Sequence, residues 1–452
     1  MSTTTTTTPK LRRTLSLWDL ILYGVIVIQP VAPMSVFGVL SDKGHGHVVT
    51  TILIAMVAML FTAISYGRMA RAYPSAGSAF TYVGQEINPA LGFVTGWSMV
   101  MDYMLNPMIC TIWISQQANV FAPGVPYWVW AIIFAGVFTA LNIQGVKTSA
   151  RVNSALAAGM GVVIAIFFVT AARYIFGHPH TGADFTRPFY DPALWNTKAV
   201  LGGTSIAVLT YIGFDGISTL SEEAENPRRN ILYATVFTCL VIGILSAVQV
   251  YAAQIIWPAS EPFPNTDTAF TFVAGRAWAP MFAILGFTLL VANFGSGMGA
   301  QLGAARLLYG MGRSKALPSG FFGAVDPKRR VPRNNVVFVG LIALAGALLV
   351  SYGVFSYGLG AEMLNFGALI AFMGVNLAAF MRYCVREKKW GIGNFFPPLA
   401  GFLICLLLWL NLSRPAKIAG AVWMAVGIVF GAIKTRGFRG DLVNFDIPAE
   451  DE

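Results

Sequence analysis

Residues 23–38 read YGVIVIQPVAPMSVFG, and the fold turns on how this stretch is read. It is apolar enough to cross a bilayer, yet Pro30 and Pro33 sit near its middle. Each proline removes a backbone donor and breaks the helix, in surroundings where lipid offers freed backbone groups no water.

The rest of the chain places the stretch in a membrane. Of 452 residues, 56% are apolar and only 11% charged, against roughly 45–50% and 25% in soluble domains. Windows of about 20 residues can span ~30 Å of hydrocarbon. Twelve such windows are expected, near 17–40, 49–67, 91–118, 127–145, 152–176, 200–221, 230–257, 278–305, 334–352, 362–381, 396–412 and 416–433. They leave no room for a soluble catalytic domain.

With the N-terminus inside, most of the 30 Lys and Arg fall in loops on that side, as the positive-inside rule requires. Both termini are therefore expected in the cytoplasm and the chain in the plasma membrane, the inner membrane of a bacterium. The formal charge of +10 calls for no nucleic acid, because anionic inner-leaflet lipid accounts for it. Cys110, Cys239, Cys384 and Cys405 all lie inside expected spans with no CxxC spacing, and His45, His47, His178 and His180 read as solvated loop residues. No metal and no cofactor is expected. An intramembrane enzyme would need a nucleophile-base or metal constellation, and no histidine lies in any span. The Thr3 to Thr8 run reads as disordered, and no cleavable signal peptide is visible.

Counting along the spans sharpens the problem of the prolines. Pro30 lies about thirteen residues into the first span, roughly 20 Å at 1.5 Å per residue, so the break is deep. The sixth span reaches YIGFDG, 211–216, after a similar count. Five helices separate the two interruptions, and five is odd, so a five-helix unit inserts in the opposite sense the second time. Paired broken helices in inverted repeats point to a transporter's midplane site. A simple kink satisfied by a neighbouring helix is the plainer alternative at Pro30 and Pro33.

Four motifs in order, SYGRMARAYPSAGSAFTY (65–82), YIGFDGISTLSEEAENPRRNI (211–231), ARLLYGMGRSKALP (305–318) and VPRNNVVFVG (331–340), resemble the amino acid-polyamine-organocation transporter superfamily. The chain as a whole is most similar to its bacterial putrescine importers. The resemblance implies an all-α membrane protein of twelve transmembrane helices with a five-plus-five inverted-repeat core of the leucine-transporter type, broken in helices 1 and 6. It divides the chain into a disordered segment 1–15, repeats 16–176 and 177–385, peripheral helices over 386–435, and a cytoplasmic tail 436–452. It also implies import; no motif fixes an oligomeric state.

Amino acid carriers of this superfamily hold the substrate carboxylate on a Gly-rich break in segment 1. Here the stretch is Gln29, Pro30, Val31, Ala32 and Pro33, with two nitrogens that carry no hydrogen, so it grips a carboxylate poorly. Negative charge is present instead. Asp102 lies about eleven residues into the third span, where an ionised carboxylate costs roughly 2.5–3.5 kcal/mol. Thr95, Ser98, Asp102 and Asn106 fall on one helix face. Asp102 either bonds a neighbouring helix or meets an ammonium group or a proton. Asp215, inside the second break, either caps the following half-helix or takes the same role. Tyr103, Tyr211 and Phe214 offer faces for cation–π contact.

The expected substrate contacts are Gln29, Pro30, Ala32, Asp102, Tyr103, Asn106, Tyr211, Gly213, Phe214 and Asp215. Coupling or gating falls to Asp102, Asp215, Glu222, Glu223 and Glu362. Glu222 and Glu223 either pair with Arg13, Arg68 or Arg71 at an inner gate or are solvated; Glu362 is an outer vestibule charge or the acid of a helix start. The glycines 295, 297, 299 and 303 read as close packing. The expected function is proton-coupled import of putrescine or a related organic cation by alternating access. Sodium, with Asn293 and Ser296 as ligands, is the other coupling ion, and an amino acid substrate, cationic or neutral, is the alternative. No ATP-binding GxxxxGK[ST] motif is present.

Overall fold

The computed structural model describes residues 15–73, 78–145, 150–221, 223–313, 317–329, 331–435 and 437. Glu222, the Thr3 to Thr8 run and most of both terminal segments lie outside the described residues. Within them the chain forms seventeen α-helices: α1 (Leu17–Ile28), α2 (Ala32–Lys43), α3 (Val48–Ala72), α4 (Ser78–Glu86), α5 (Pro89–Phe121), α6 (Tyr127–Gln144), α7 (Ala150–Gly177), α8 (Gly182–Thr186), α9 (Thr197–Ala207), α10 (Pro227–Ile256), α11 (Ala269–Ala277), α12 (Met281–Arg313), α13 (Ser319–Phe322), α14 (Arg333–Ser351), α15 (Tyr357–Phe380), α16 (Ile392–Leu410) and α17 (Arg414–Lys434). The one β pairing among the described residues is an isolated parallel bridge, Leu15 to Ala224.

Ten helical stretches are long and apolar enough to cross a membrane, and α1 with α2 adds an eleventh as a pair bent by 46°. Of the twelve expected spans, only 91–118 has no counterpart among them. It lies in α5, the 33-residue helix that carries Asp102, Asn106, Gln116 and Gln117. That helix is long enough to cross but too polar to be recognised by hydropathy, because a strip of it faces a cavity rather than lipid.

The first break is real and narrower than the sequence suggests. Ser16 opens α1 with a capping box, its hydroxyl accepting from Asp19 N and its own N–H bonding the Asp19 carboxylate. The helix runs to Ile28, and only Gln29, Pro30 and Val31 are non-helical. Pro33 belongs to the first turn of α2, where a missing N–H does no harm. Pro30 is therefore the breaker, and Pro33 the start of the next half-helix.

The second break is longer. The α-helical part, α9, stops at Ala207, a 3-10 turn covers Val208–Thr210, and the chain resumes as 3-10 helix over Phe214–Leu220. Between them Gly213 takes φ 119°, a conformation that glycine alone adopts freely.

The frame around these breaks is two sets of packed helices. α3 lies along α10, while α5 packs against α12, α14 and α15. α17 is fastened to α5 by Trp97 and Trp423, whose rings stack at 4.8 Å and whose indole N–H groups each donate to the other's carbonyl, at 2.9 and 3.0 Å.

Candidate functional site

The two breaks touch. A Cβ built on Gly213 would lie 3.0 Å from Val27 Cγ1 and 3.6 Å from the Ile28 nitrogen. Around this meeting point is a cavity of about 580 Å³ whose walls come from α1, α5, α7, α12 and the turn 212–216. Seven of the ten expected substrate contacts line it: Gln29, Pro30, Asp102, Tyr103, Asn106, Gly213 and Asp215.

The breaks set the polarity of the cavity. Pro30 has no N–H to give to the Ile26 carbonyl, and Val31 N–H makes no bond to that of Val27, so two carbonyls at the negative end of α1, beside the cavity, have no partner among the described residues. The opposite, positive ends are occupied. Between Gln29 and Met34, the N–H groups of Gln29, Ala32 and Met34 bond within the chain, to Val25, Gln29 and Val31. Pro30 and Pro33 have none to offer, which leaves Val31. At the second break, Gly213 N–H donates to Asp215 Oδ1 at 3.2 Å, and the N–H groups of Phe214 and Gly216 reach the carbonyls of Tyr211 and Gly213.

Gln29 holds φ 69°, a strained backbone for a residue with a side chain. Its amide Nε2 donates to the Ala292 carbonyl across the cavity at 2.8 Å. Pro30 O, by contrast, accepts from Gln249 Nε2 of α10 at 3.0 Å. The Pro30 carbonyl is thus satisfied by a neighbouring helix, while those of Ile26 and Val27 have no partner among the described residues, and the break forms a cavity wall.

The two acids differ. Asp102 is 8% exposed and lines the cavity with no hydrogen bond or ion pair to any described residue. Asp215, also 8% exposed, is both a cap, through Gly213 N–H, and a cavity wall. Four residues along α5, Asn106 accepts only a thiol, from Cys110 Sγ at 3.4 Å. Pro107 adds to this wall by lacking the N–H that would otherwise bond the Tyr103 carbonyl. Thr95 and Ser98 share the face but spend their hydroxyls on carbonyls of their own helix and lie outside the cavity.

Several expectations need correction. Tyr211 and Phe214 are fully buried outside the cavity: the Tyr211 hydroxyl donates to Ile52 O at 2.9 Å, and Phe214 packs on Tyr66 and Phe372. The turn at Gly213 rotates both side chains into the core. Ala32 opens α2 and lines nothing. Glu362 does not open its helix, because α15 starts five residues earlier at Tyr357; it is 4% exposed, pairs with Lys43 Nζ at 3.5 Å and accepts from Ser413 N at 3.1 Å. Arg68 is engaged by Gly393 O and Asn394 Oδ1, away from Glu223, whose carbonyl accepts from Leu15 N.

Further along, Asn293 spends its amide on Ser35 Oγ and Leu289 O, a link from α12 to α2, while Ser296 lines the cavity. Gly297 does pack closely, on Phe138 and Cys110, but Gly295, Gly299 and Gly303 are cavity wall. His47 is not solvated: it is fully buried, donating from Nδ1 to Gly44 O at 3.0 Å and accepting at Nε2 from Asp191 N at 3.0 Å.

Around α2, on the far side of the first break, the chain is shut by close packing. Phe37 of α2 meets Phe263 and Phe270 edge-on, at 5.7 and 5.3 Å between ring centres, Gly38 lies against the Thr266 carbonyl, and Trp113 Nε1 donates to Ser35 O at 3.0 Å. Just before α11, burial pushes the Asp267 carboxyl up to about 6. The cavity is walled by Tyr23 of α1, Leu156 and Ala157 of α7, and Gly303 of α12, toward the end of the bundle at which α1 begins.

Two features went unread in the sequence. Tyr23 lines the cavity. Glu86, fully buried, takes Arg382 at 2.7 Å, Arg386 at 3.1 Å and the Tyr73 hydroxyl at 2.8 Å, where the chain turns π-helical over Met381–Arg386. The i, i+4 spacing of the two arginines was the available signal; a lone Glu between spans reads as solvated.

Comparison with known proteins gives a consistent set of relatives. The model of the family described as amino acid permease matches residues 31–412. The low-affinity putrescine importer PlaP of Escherichia coli (strain K12) is 34% identical over 98% of both chains. The branched-chain amino acid permease BcaP of Bacillus subtilis is 25% identical over 94% of both. Cationic amino acid transporter 6, chloroplastic, of Arabidopsis thaliana is 25% identical over 83% of this chain and 66% of its own.

Proposed function

The chain belongs to the amino acid permease family, and from that premise we propose that it imports putrescine or a closely related polyamine. Membership makes it an integral membrane transport protein and removes the intramembrane enzyme. The observation that carries the substrate reading is the pairing of Asp102, a buried carboxylate with no partner among the described residues, with Asp215 in one cavity. A diamine places one ammonium at each acid, and the carbonyls of Ile26 and Val27 suit the same charge.

A carboxylate finds little here. Most backbone donors at the two breaks are bonded within the chain or absent at proline; those of Val31 and Ile212 make no backbone bond among the described residues. This supports a substrate with amines alone. The resemblance to a putrescine importer over nearly the whole chain agrees with it. An amino acid substrate, for which the other permeases speak, would have to place its carboxylate on those N–H groups or on the side-chain donors of Asn106, Tyr23 and Tyr103.

Orientation and mechanism complete the proposal. Lys and Arg bias places both termini in the cytoplasm of a bacterial cell, so the shut side faces out and the cavity faces in. Transport proceeds by alternating access, with α1, α2 and the second break moving against the wall formed by α5 and α12, in an inverted five-plus-five repeat. The coupling proton moves inward together with the amine, on Asp102 or Asp215, since a proton relieves the cost of an uncompensated buried carboxylate; sodium is the other candidate.

The test is uptake into liposomes of labelled putrescine against labelled arginine, with and without an imposed pH gradient. Putrescine uptake driven by an inward proton gradient is expected. Arginine uptake without putrescine uptake overturns the substrate, and indifference to the gradient overturns the proton.

A further inference from the structure

We propose that Tyr23 is a specificity-determining residue of the cavity, its phenol ring forming the inner face against which the ammonium held by Asp215 packs. The inference rests on the diamine reading above and adds a residue from an element that carries neither acid.

Three observations place it. Tyr23 lines the cavity together with Asp215 and Gly216, and its hydroxyl oxygen would be 3.9 Å from a Cβ on Gly216, so the side chain extends from α1 over the second break. Gly216 presents no side chain to hold it off. The phenol is within electrostatic reach of Asp215 first and Glu223 second, and the Tyr103 phenol in turn reaches Asp215, Asp102 and Tyr23. Tyr23 of α1 and Tyr103 of α5 line the same cavity as Asp215.

The chemistry follows from what is missing elsewhere. An ammonium group needs a face as well as a charge: a carboxylate takes one or two of its hydrogens, and the negative face of an aromatic ring stabilises the remainder where water is excluded. Tyr211 and Phe214, the aromatic neighbours of Asp215 in sequence, are turned into the core. Among the described cavity residues, the aromatic side chain that reaches over the turn at Asp215 from the inner side is Tyr23. The hydroxyl makes no hydrogen bond to a described residue, so no protein partner draws the side chain away from the turn.

Two substitutions separate ring from hydroxyl. Tyr23→Phe keeps the face, and Tyr23→Leu keeps the bulk without it. In proteoliposomes taking up labelled putrescine, Tyr23→Phe should leave KM within about twofold of the wild type. Tyr23→Leu should raise KM about three- to thirtyfold, the range of ammonium–ring contacts, with the maximal rate per inserted molecule largely kept. A purely structural role would lower insertion or maximal rate and leave KM alone, which overturns the proposal. An unchanged KM in Tyr23→Leu overturns it, as does a Tyr23→Phe variant as weak as Tyr23→Leu. Wild-type protein that takes up no putrescine overturns the substrate reading and this inference with it; uptake by the wild type with an unchanged Leu variant overturns this inference alone.

Discussion

Gly213 lies against Ile28: the space where a side chain would start on one break is 3.6 Å from the backbone nitrogen that ends α1, and 3.0 Å from Val27 Cγ1. Gly213 also holds φ 119°. A Cβ there meets both strain and crowding, so Gly213→Val should destabilise the protein by about 2–3 kcal/mol and abolish uptake. A thermal midpoint in detergent equal to that of the wild type would contradict the close contact of the two breaks.

Asp102 and Asp215 should respond differently to the same chemistry. Asp102→Asn removes an unpartnered buried charge and should raise stability by about 1 kcal/mol or more while weakening diamine binding about tenfold or beyond, the worth of a hydrogen bond between charged groups. Asp215→Asn keeps an oxygen for Gly213 N–H, so it should weaken binding with little change in stability. Isothermal titration with putrescine and thermal unfolding on the same samples check both. Unchanged affinity in both variants removes this picture of the pocket.

The two breaks were legible because proline and glycine act through the backbone, and backbone chemistry shows in sequence. Asp102 was legible because a charge deep in a span must be explained. Tyr211 and Phe214 were misread because a 3-10 turn, unlike an α-helix, does not keep residues near Asp215 on one face. His47 was misread because a loop position carries no signal of the Asp191 N–H that buries it. Glu86 and its arginines were missed for a related reason: their partners are 296 and 300 residues away in sequence.

The Lys43 and Glu362 pair predicts an asymmetry. Glu362 is buried and Lys43 half-exposed, with side-chain exposures of 5% and 46%. Lys43→Ala leaves a buried carboxylate with only the Ser413 N–H, and should cost about 1–2 kcal/mol after discounting for the exposed partner. Glu362→Gln removes the charge and keeps the acceptor, and should cost less. Thermal midpoints in the opposite order would exclude this account of the joint between α2, α15 and α17.

Asp267 gives a pH dependence. Its carboxyl titrates near 6 in the closed loop and near 3.8 when exposed, so the folded protein keeps a proton that the unfolded chain releases between about pH 4 and 6. Stability therefore falls as pH rises through that window and is flat above it. Asp267→Asn should remove this slope, a difference on the order of 1–2 kcal/mol at pH 7. Wild-type and variant unfolding curves measured from pH 4 to 8 that run parallel would refute it.

Asp102 stands on an uninterrupted 33-residue helix and Asp215 on a jointed segment. Cargo that spans them is a strut between a beam and a hinge. Too firm a strut freezes the machine, and an amine longer or stiffer than the gap should jam it as an inhibitor rather than pass as a passenger. By sharing Asp215 with Gly213 N–H, the protein loosens one end of the strut in advance, trading tightness of grip for ease of release.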